Sequence, residues 1–86
     1  MTTLDGLRSA LVEVTGLDPA AVTPDARLDQ DLRVDSLELT ALGDALRERH
    51  GDQVDLARYV NGLDIDAIIA LTVGDVVSYL DSVGAR

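Results

Sequence analysis

The sequence predicts a small all-α bundle with a long loop after its first helix. Apolar residues recur at three- and four-residue steps in three segments, and no segment alternates polar and apolar residues as a strand would. An N-terminal capping pattern stands before each of these segments: Thr2 with Asp5, Asp35 with Glu38, and Thr72 with Asp75. With 86 residues and no cysteine, the chain is expected to be one domain, residues 1–86, held by an aliphatic core.

The first helix is expected to begin at Thr2 or Thr3 and to end at Gly16. Its core face consists of aliphatic residues at helical spacing: Leu4, Leu7, Leu11 and Val14. The connection over 17–34 contains two prolines and several aspartates, which predict a loop with a short helical turn at 19–22. Three apolar residues are spaced to pin this loop to the core: Val22, Leu28 and Leu32.

The second helix is expected over 36–49, with Asp35 or Ser36 as its cap and Gly51 as its end. Its inner face is aliphatic: Leu39, Leu42, Ala45 and Leu46. The segment 52–71 predicts a short helix with Leu56, Val60 and Leu63, broken near Asn61-Gly62. Asp64 then caps a second short helix with three isoleucines: Ile65, Ile68 and Ile69. The last helix follows Thr72 and carries Val73, Val76, Val77 and Leu80 on its core face.

The charge of the chain restricts its partners. Sixteen acidic residues face seven arginines and no lysine, so the net charge is −9. Such a charge repels nucleic acids and anionic membranes and attracts basic protein surfaces. The N-terminus lacks the basic and apolar regions of a signal peptide, and no apolar run approaches the roughly 20 residues of a membrane span. The expectation is a cytoplasmic protein.

The stretch that bears on function surrounds Ser36, a serine predicted at the start of a helix after a long loop. Its hydroxyl should be exposed beside unpaired backbone N–H groups and the positive end of the helix dipole. A phosphate group on this hydroxyl would be well placed. Taken alone, Ser36 is better interpreted as a helix cap, which is the commoner role for such a serine.

The triplet Asp35-Ser36-Leu37 resembles the signature at the head of the second helix of acyl carrier proteins. The resemblance extends to other positions along nearly the whole chain: Val22-Thr23-Pro24-Asp25-Ala26, Leu28, Asp31-Leu32, Leu42, Ala45-Leu46, Gly51, Thr72-Val73-Gly74-Asp75 and Tyr79-Leu80. It implies a four-helix bundle of acyl-carrier type with a long first loop. The segment 52–71 is longer than the usual link in this family, and we expect it to form an enlarged third-helix region beside Ser36.

The resemblance also implies a function. Ser36 would carry a covalent 4′-phosphopantetheine arm, which a phosphopantetheinyl transferase attaches from coenzyme A with the help of magnesium. The thiol of the arm would hold acyl groups as thioesters, so a chain without cysteine could support thiol chemistry. The protein would be a monomeric, non-catalytic carrier. Its partners would be the transferase and acyl-transferring or synthase enzymes with basic docking patches, with no nucleic acid, membrane or resident metal.

The neighbours of Ser36 gain expected roles from the same resemblance. Asp35 would help the transferase and its metal to engage, and Leu37 would be an apolar contact for partner enzymes. Three acids on the second helix would meet basic patches on those enzymes: Glu38, Asp44 and Glu48. For Asp44 and Glu48, a solvated helix face is an equally good interpretation.

Several residues depart from the family pattern. Arg33 stands where glycine is usual, Ala41 where many members carry an acid, and Gly43 and Asp44 where apolar residues are usual. His50 replaces a common aromatic residue. These changes favour a specialised pathway, such as polyketide or other natural-product synthesis, over primary fatty acid synthesis. The segment 52–71 would provide either a dedicated partner or acyl-group surface, or only additional core packing.

Three other functions compete with that of an acyl carrier. The first is an acidic helical interaction module without a prosthetic group, and the second is a peptidyl or aminoacyl carrier. The third is an enzyme. His50 is the only histidine, and the second helix would separate it from Ser36 by about 20 Å, which excludes a Ser–His pair. No spacing of acids matches an EF-hand loop.

Overall fold

The computed structural model describes residues 2–84 and confirms the all-α class. Its helices are α1 (Thr3–Thr15), α2 (Ser36–His50), α3 (Leu56–Asn61), α4 (Ile65–Ile69) and α5 (Val73–Gly84), with a 3₁₀ turn at Pro19–Ala21. α1 packs against α2 and α5, and α3 packs against α2. The enlarged third-helix region therefore consists of two short helices. In the described part of the chain, no helix combines the length and the apolarity needed to cross a membrane.

Reciprocal hydrogen bonds between a capping residue and an acid three positions later begin the three long helices. Before α1, Asp5 N–H donates to Thr2 Oγ1 at 3.2 Å and Thr2 N–H donates to the Asp5 carboxylate at 3.3 Å. Before α5, Thr72 and Asp75 exchange the same bonds at 3.2 and 3.1 Å. These short polar side chains satisfy backbone donors that the first helical turn leaves unpaired.

The long loop between α1 and α2 is fixed to the core, as its sequence predicts. Val22, Leu28 and Leu32 are all buried beside the aliphatic side chains of the helices. The guanidinium of Arg8 on α1 donates two hydrogen bonds to the carbonyl of Val22, at 3.0 and 3.2 Å. Buried aliphatic side chains and a charged donor on a backbone carbonyl hold the loop as an ordered element.

The loop also pairs its backbone with the segment that enters α5, and we call this pairing the latch. Arg27 and Thr72 form an isolated antiparallel bridge. Three hydrogen bonds make up the latch: Leu28 N–H to Leu71 O at 3.0 Å, Val73 N–H to Ala26 O at 2.9 Å, and Gly74 N–H to Pro24 O at 2.9 Å. The approach is close at Gly74, where a Cβ atom would lie 3.1 Å from the Pro24 carbonyl oxygen. The latch was not predicted from the sequence.

Candidate functional site

Ser36 is the first residue of α2, and its neighbour Asp35 is the cap. The Asp35 carboxylate accepts a hydrogen bond from Glu38 N–H at 2.7 Å, and the Glu38 carboxylate accepts one from Asp35 N–H at 3.2 Å. The capping role that the sequence left open between Asp35 and Ser36 therefore belongs to Asp35. Ser36 is exposed, and its hydroxyl is not needed to begin the helix.

Arg33, three residues before the site, has a backbone φ of +54°. It is the only non-glycine residue with positive φ in the described range 2–84. A side chain in this left-handed region costs about 1–2 kcal/mol, whereas glycine adopts it freely. The turn is held by Val34 N–H, which donates to Leu28 O at 2.9 Å. Arg33 thus adopts a backbone conformation that glycine adopts more easily, and glycine is the usual residue at this position in the family pattern described above. The Arg33 side chain is exposed.

A cavity of about 500 Å³ opens beside Ser36. Most of its wall is aliphatic and comes from the loop, α2, α3, α4 and the segment after it: Leu28, Val34, Leu39, Val60, Ile68 and Leu71. Asp29, Asp35 and Asn61 add polar groups to the wall. The volume falls within the range of small-molecule sites, roughly 300–1,000 Å³. An apolar group tethered to the Ser36 hydroxyl could therefore leave water and enter this cavity.

The segment 52–71 lies beside Ser36, because α3 and α4 both contribute to the cavity wall. Its two helices differ in burial. Leu56 and Val60 of α3 are 1% and 8% exposed, whereas Ile65 and Ile69 of α4 are 73% and 41% exposed. Core packing is therefore the role of α3 and not of α4. Sequence reasoning missed Ala57 and Asn61 as wall residues, since no motif or periodicity marks them.

Leu37 and two of the acids expected to bind partners share one face of α2. Positions 37, 41, 44 and 48 are spaced to lie along one side of a helix, and all four side chains are exposed. Leu37 is 82% exposed. In residues 2–84 the ion pairs are Arg8–Asp5 at 3.1 Å and Arg49–Glu13 at 3.5 Å, so Asp44 and Glu48 take part in neither.

Glu38, the third acid expected to meet partners, is in a different situation from Asp44 and Glu48. It is half-buried, and its carboxylate accepts the Asp35 N–H at 3.2 Å. Its first role is therefore to begin α2. Any electrostatic contribution of Glu38 to a partner adds to that capping role.

His50 ends α2, fourteen positions after Ser36, so the helix separates the two residues by about 20 Å. His50 lies at the helix end and is half-buried. A Cβ atom added to Gly6 would lie 3.7 Å from His50 Nε2, which is buried without a hydrogen-bond partner in the described structure. A Ser–His pair is excluded. A smaller cavity of about 370 Å³ lies at this remote end.

Gly43 lies on α2 where that helix contacts α3. A Cβ atom at this position would lie 3.5 Å from Leu56 Cβ, and Gly43 does not line the cavity beside Ser36. Gly43 therefore provides no space for a bound group in that cavity, and the approach of α3 does not require a glycine, because an alanine methyl group at 3.5 Å would make an ordinary contact. Among residues 2–84, no three His, Cys, Asp or Glu side chains are grouped so that they could hold a metal ion.

Comparison with known proteins gives a consistent result. Residues 5–80 match the family described as "Phosphopantetheine attachment site". The chain is 33% identical over 75 residues to the meromycolate extension acyl carrier protein of Mycolicibacterium aurum, covering 87% of this chain and 69% of that protein. It is 30% identical over 84 residues to the acyl carrier protein of Campylobacter curvus, covering 98% and 99%. No solved structure matches the chain.

Proposed function

Because the chain belongs to the acyl carrier proteins, the non-catalytic carriers with a phosphopantetheine attachment site, we propose that Ser36 bears the arm and that acyl intermediates are held there. One observation carries the assignment to this residue. Asp35 caps α2, so the Ser36 hydroxyl is exposed at the helix start beside an apolar cavity of about 500 Å³. A serine needed as a cap would have engaged its hydroxyl instead.

The surroundings of Ser36 fit a phosphodiester. As the first two residues of α2, Ser36 and Leu37 have backbone N–H groups without partners inside the helix, next to the positive end of its dipole. Both features favour an anion at this position. The exposed guanidinium of Arg33 adds a positive charge to the loop that leads into Ser36. When bound, the arm supplies a thiol that holds acyl groups as thioesters.

The attachment step that we propose is a transfer from coenzyme A. Ser36 Oγ attacks the phosphorus atom that bears the pantetheine, and a new O–P bond forms. The pyrophosphate P–O bond breaks, adenosine 3′,5′-bisphosphate leaves, and the serine hydroxyl proton is released. The transferase and its magnesium ion provide the catalysis, and Asp35 next to the hydroxyl would help them to engage.

The experiment that tests this assignment is intact-mass analysis after incubation with coenzyme A and a broad-specificity phosphopantetheinyl transferase. The wild-type chain should gain one phosphopantetheine, Ser36→Ala should gain none, and Ser78→Ala, which removes another exposed serine, should gain one. If the Ser36→Ala variant gains the mass of one phosphopantetheine, the arm is attached to another residue. Failure of the wild-type chain with every transferase tried would favour an acidic interaction module.

The cargo is proposed to belong to a specialised pathway, polyketide or other natural-product synthesis rather than primary fatty acid synthesis. Arg33, Ala41 and Gly43 depart from the usual pattern, and a similar protein is named for meromycolate extension. The docking partners would be synthase or acyl-transferring enzymes with basic patches that meet Asp44 and Glu48. We also propose that the carrier acts in the cytoplasm. It would be a monomer, because a net charge of −9 makes copies of the chain repel each other. Intact mass of the protein from its native host would identify the cargo and separate acyl from aminoacyl loading.

A further inference from the structure

Arg33 is a positive charge that the fold leaves without an ion-pair partner. Its side chain is exposed on the loop that leads into Ser36, in a chain of net charge −9. Within the described residues 2–84, the ion pairs both involve α1 and lie elsewhere: Arg8–Asp5 and Arg49–Glu13. An unpaired arginine among so many acids calls for a reason, because a carboxylate within reach would ordinarily bind it.

The acids nearest to Arg33 in the chain are each engaged with a backbone N–H group. The Asp31 carboxylate accepts Arg27 N–H at 2.8 Å. The carboxylates of Asp35 and Glu38 each accept the other residue's N–H, at 2.7 and 3.2 Å. These bonds fix the turn and the start of α2, so they hold the carboxylates in place. The charge of Arg33 therefore stays available for a group that is not part of the folded polypeptide.

The backbone of Arg33 shows that the fold would be better served by another residue. Its φ of +54° lies in the left-handed region, which glycine adopts without strain. Strained residues persist where the surrounding structure holds them, and they cluster at functional sites. Because the backbone gains nothing from an arginine here, the advantage of Arg33 must lie in its exposed side chain.

We propose that the Arg33 guanidinium binds the phosphodiester of the arm, an inference that rests on the proposed modification of Ser36. Arginine suits this ligand, because its planar fork donates two parallel hydrogen bonds to phosphate oxygens. Three residues of chain span at most about 11 Å. The long stem of the arginine and the phosphate on the serine oxygen extend into this gap from its two ends.

The contact has two consequences for the arm. The phosphodiester adds a negative charge beside Asp29 and Asp35, which are both exposed and line the cavity, and Arg33 offsets the repulsion. Val34 and Asp35, the residues that follow Arg33, also line the cavity. An arm fastened on the loop side of Ser36 therefore starts beside the cavity wall. Arg33 thus restrains the first bonds of the arm.

The direct test follows arginine Nε–H groups by ¹H–¹⁵N NMR in the apo chain and in the holo chain, which carries the arm. Arg33→Lys identifies the Arg33 signal by its loss. In the wild type, attachment of the arm should slow the exchange of this proton with water by about threefold, as expected for an exposed ion pair. About 0.5 M sodium chloride should reverse the slowing, because salt screens exposed charges. The ³¹P signal of the holo chain should move in Arg33→Asn.

Thermal unfolding tests the same contact by a cycle of apo and holo proteins. Asparagine tolerates a positive φ and carries no charge, so Arg33→Asn removes the guanidinium with little added strain. The change in Tm that the arm causes should be about 1–5 °C less favourable in Arg33→Asn than in the wild type. Arg27→Gln is the matched control. It removes an exposed arginine of the same loop, whose side chain donates to Gln30 Oε1 at 3.0 Å, and it should show the wild-type change.

The outcomes separate this proposal from the attachment of the arm. A wild-type chain that never gains the arm overturns the attachment to Ser36. A loaded chain whose Arg33 Nε–H exchanges equally fast in the apo and holo forms overturns the role of Arg33 and leaves the attachment intact. The role is also overturned if Arg27→Gln alters the effect of the arm as much as Arg33→Asn does, because net charge then explains the result. A slowed exchange in the holo wild type, with a Tm effect confined to position 33, supports the contact.

Discussion

α3 and α4 are adjacent short helices with similar beginnings and opposite surroundings. The Asp55 carboxylate accepts Arg58 N–H at 3.1 Å before α3, and the Asp64 carboxylate accepts Ala67 N–H at 2.8 Å before α4. Both helices carry aliphatic residues three to four positions apart. Nevertheless α3 buries its aliphatic residues and α4 exposes them. Helix formation is thus decided locally, by the cap and the spacing, whereas burial is decided by what lies opposite.

The neighbours of α3 explain its burial. Leu56 packs against α2 beside Gly43, and the Tyr79 hydroxyl on α5 accepts the Asp55 N–H at 2.9 Å. The ring of Tyr59 stacks on that of Tyr79 with centroids 4.4 Å apart. α3 is therefore attached on two sides, to α2 and to α5. For α4 the comparable anchor is Leu71, which follows the helix, is 5% exposed and belongs to the latch.

The largest change in the free energy of unfolding is expected from a substitution that removes the core contact of α3. Leu56→Ala should lower the free energy of unfolding by about 2–5 kcal/mol, because Leu56 is 1% exposed and its loss leaves a cavity. Ile65→Ala, the matched change on α4, should alter it by less than about 0.5 kcal/mol. Urea unfolding followed by circular dichroism measures both. Equal losses would mean that α4 supports the fold as much as α3 does.

A smaller effect is expected from Tyr79→Phe. This change removes the acceptor of the Asp55 N–H and keeps most of the stacked ring, so it should cost about 1 kcal/mol. Amide hydrogen exchange should speed up for Asp55 and the residues of α3 while that of Ala67 on α4 stays unchanged. If both helices lose protection together, α3 and α4 move as one unit.

The opposite sign is expected from Gly43→Ala. The added methyl group would make an ordinary contact, 3.5 Å from Leu56 Cβ, and alanine is favoured over glycine inside a helix by up to about 1 kcal/mol. The unfolding free energy should therefore rise by about 0.5–1 kcal/mol. Gly74→Ala is the control: its methyl group would lie 3.1 Å from the Pro24 carbonyl oxygen, and stability should fall. A loss in Gly43→Ala would show that the approach of α3 is tighter than the contact distance suggests.

The smallest effect concerns alkaline pH. Burial, and then the charges of Asp75 and Tyr79, raise the pKa of Tyr59 above its ordinary 10.0. The folded state thus holds the phenol proton more tightly than the unfolded state does. The resulting stability is complete below pH 10 and is lost as pH rises through the higher folded-state pKa. Tyr59→Phe should therefore lose less stability than the wild type in urea unfolding across this range. The same decline in both proteins would contradict a raised Tyr59 pKa.

Much of the architecture follows from the sequence because it depends on local chemistry. The pairs Thr2–Asp5, Asp35–Glu38 and Thr72–Asp75 predict helix starts, and the aliphatic spacing predicts that Val22, Leu28 and Leu32 pin the loop. The fold class and the acyl carrier family are confirmed by the structure and by the similar proteins. The attachment of the arm to Ser36 stays a prediction, as do the partner roles of Leu37, Asp44 and Glu48.

Other features were not predictable because they depend on contacts between distant segments. The exposure of Ile65 and Ile69 depends on what faces α4, and spacing within five residues does not specify that. The unpaired Nε2 of His50 results from its packing beside Gly6, forty-four positions earlier in the chain. The latch joins Leu28 to Leu71 through backbone groups, which every residue carries and no side-chain pattern identifies.

The latch has a consequence for how this chain can vary in length. Leu28 N–H meets Leu71 O at 3.0 Å, so α2, α3, α4 and Ser36 all lie within one closed circuit of the backbone. The entropy of closing such a circuit grows only with the logarithm of its length, about 0.6 kcal/mol for each doubling. Residues added between α2 and α5 therefore cost little once both ends are fastened. A carrier built this way can gain a helix such as α4 while the rest of its bundle stays the same. A new surface next to the serine therefore lowers the free energy of unfolding only slightly.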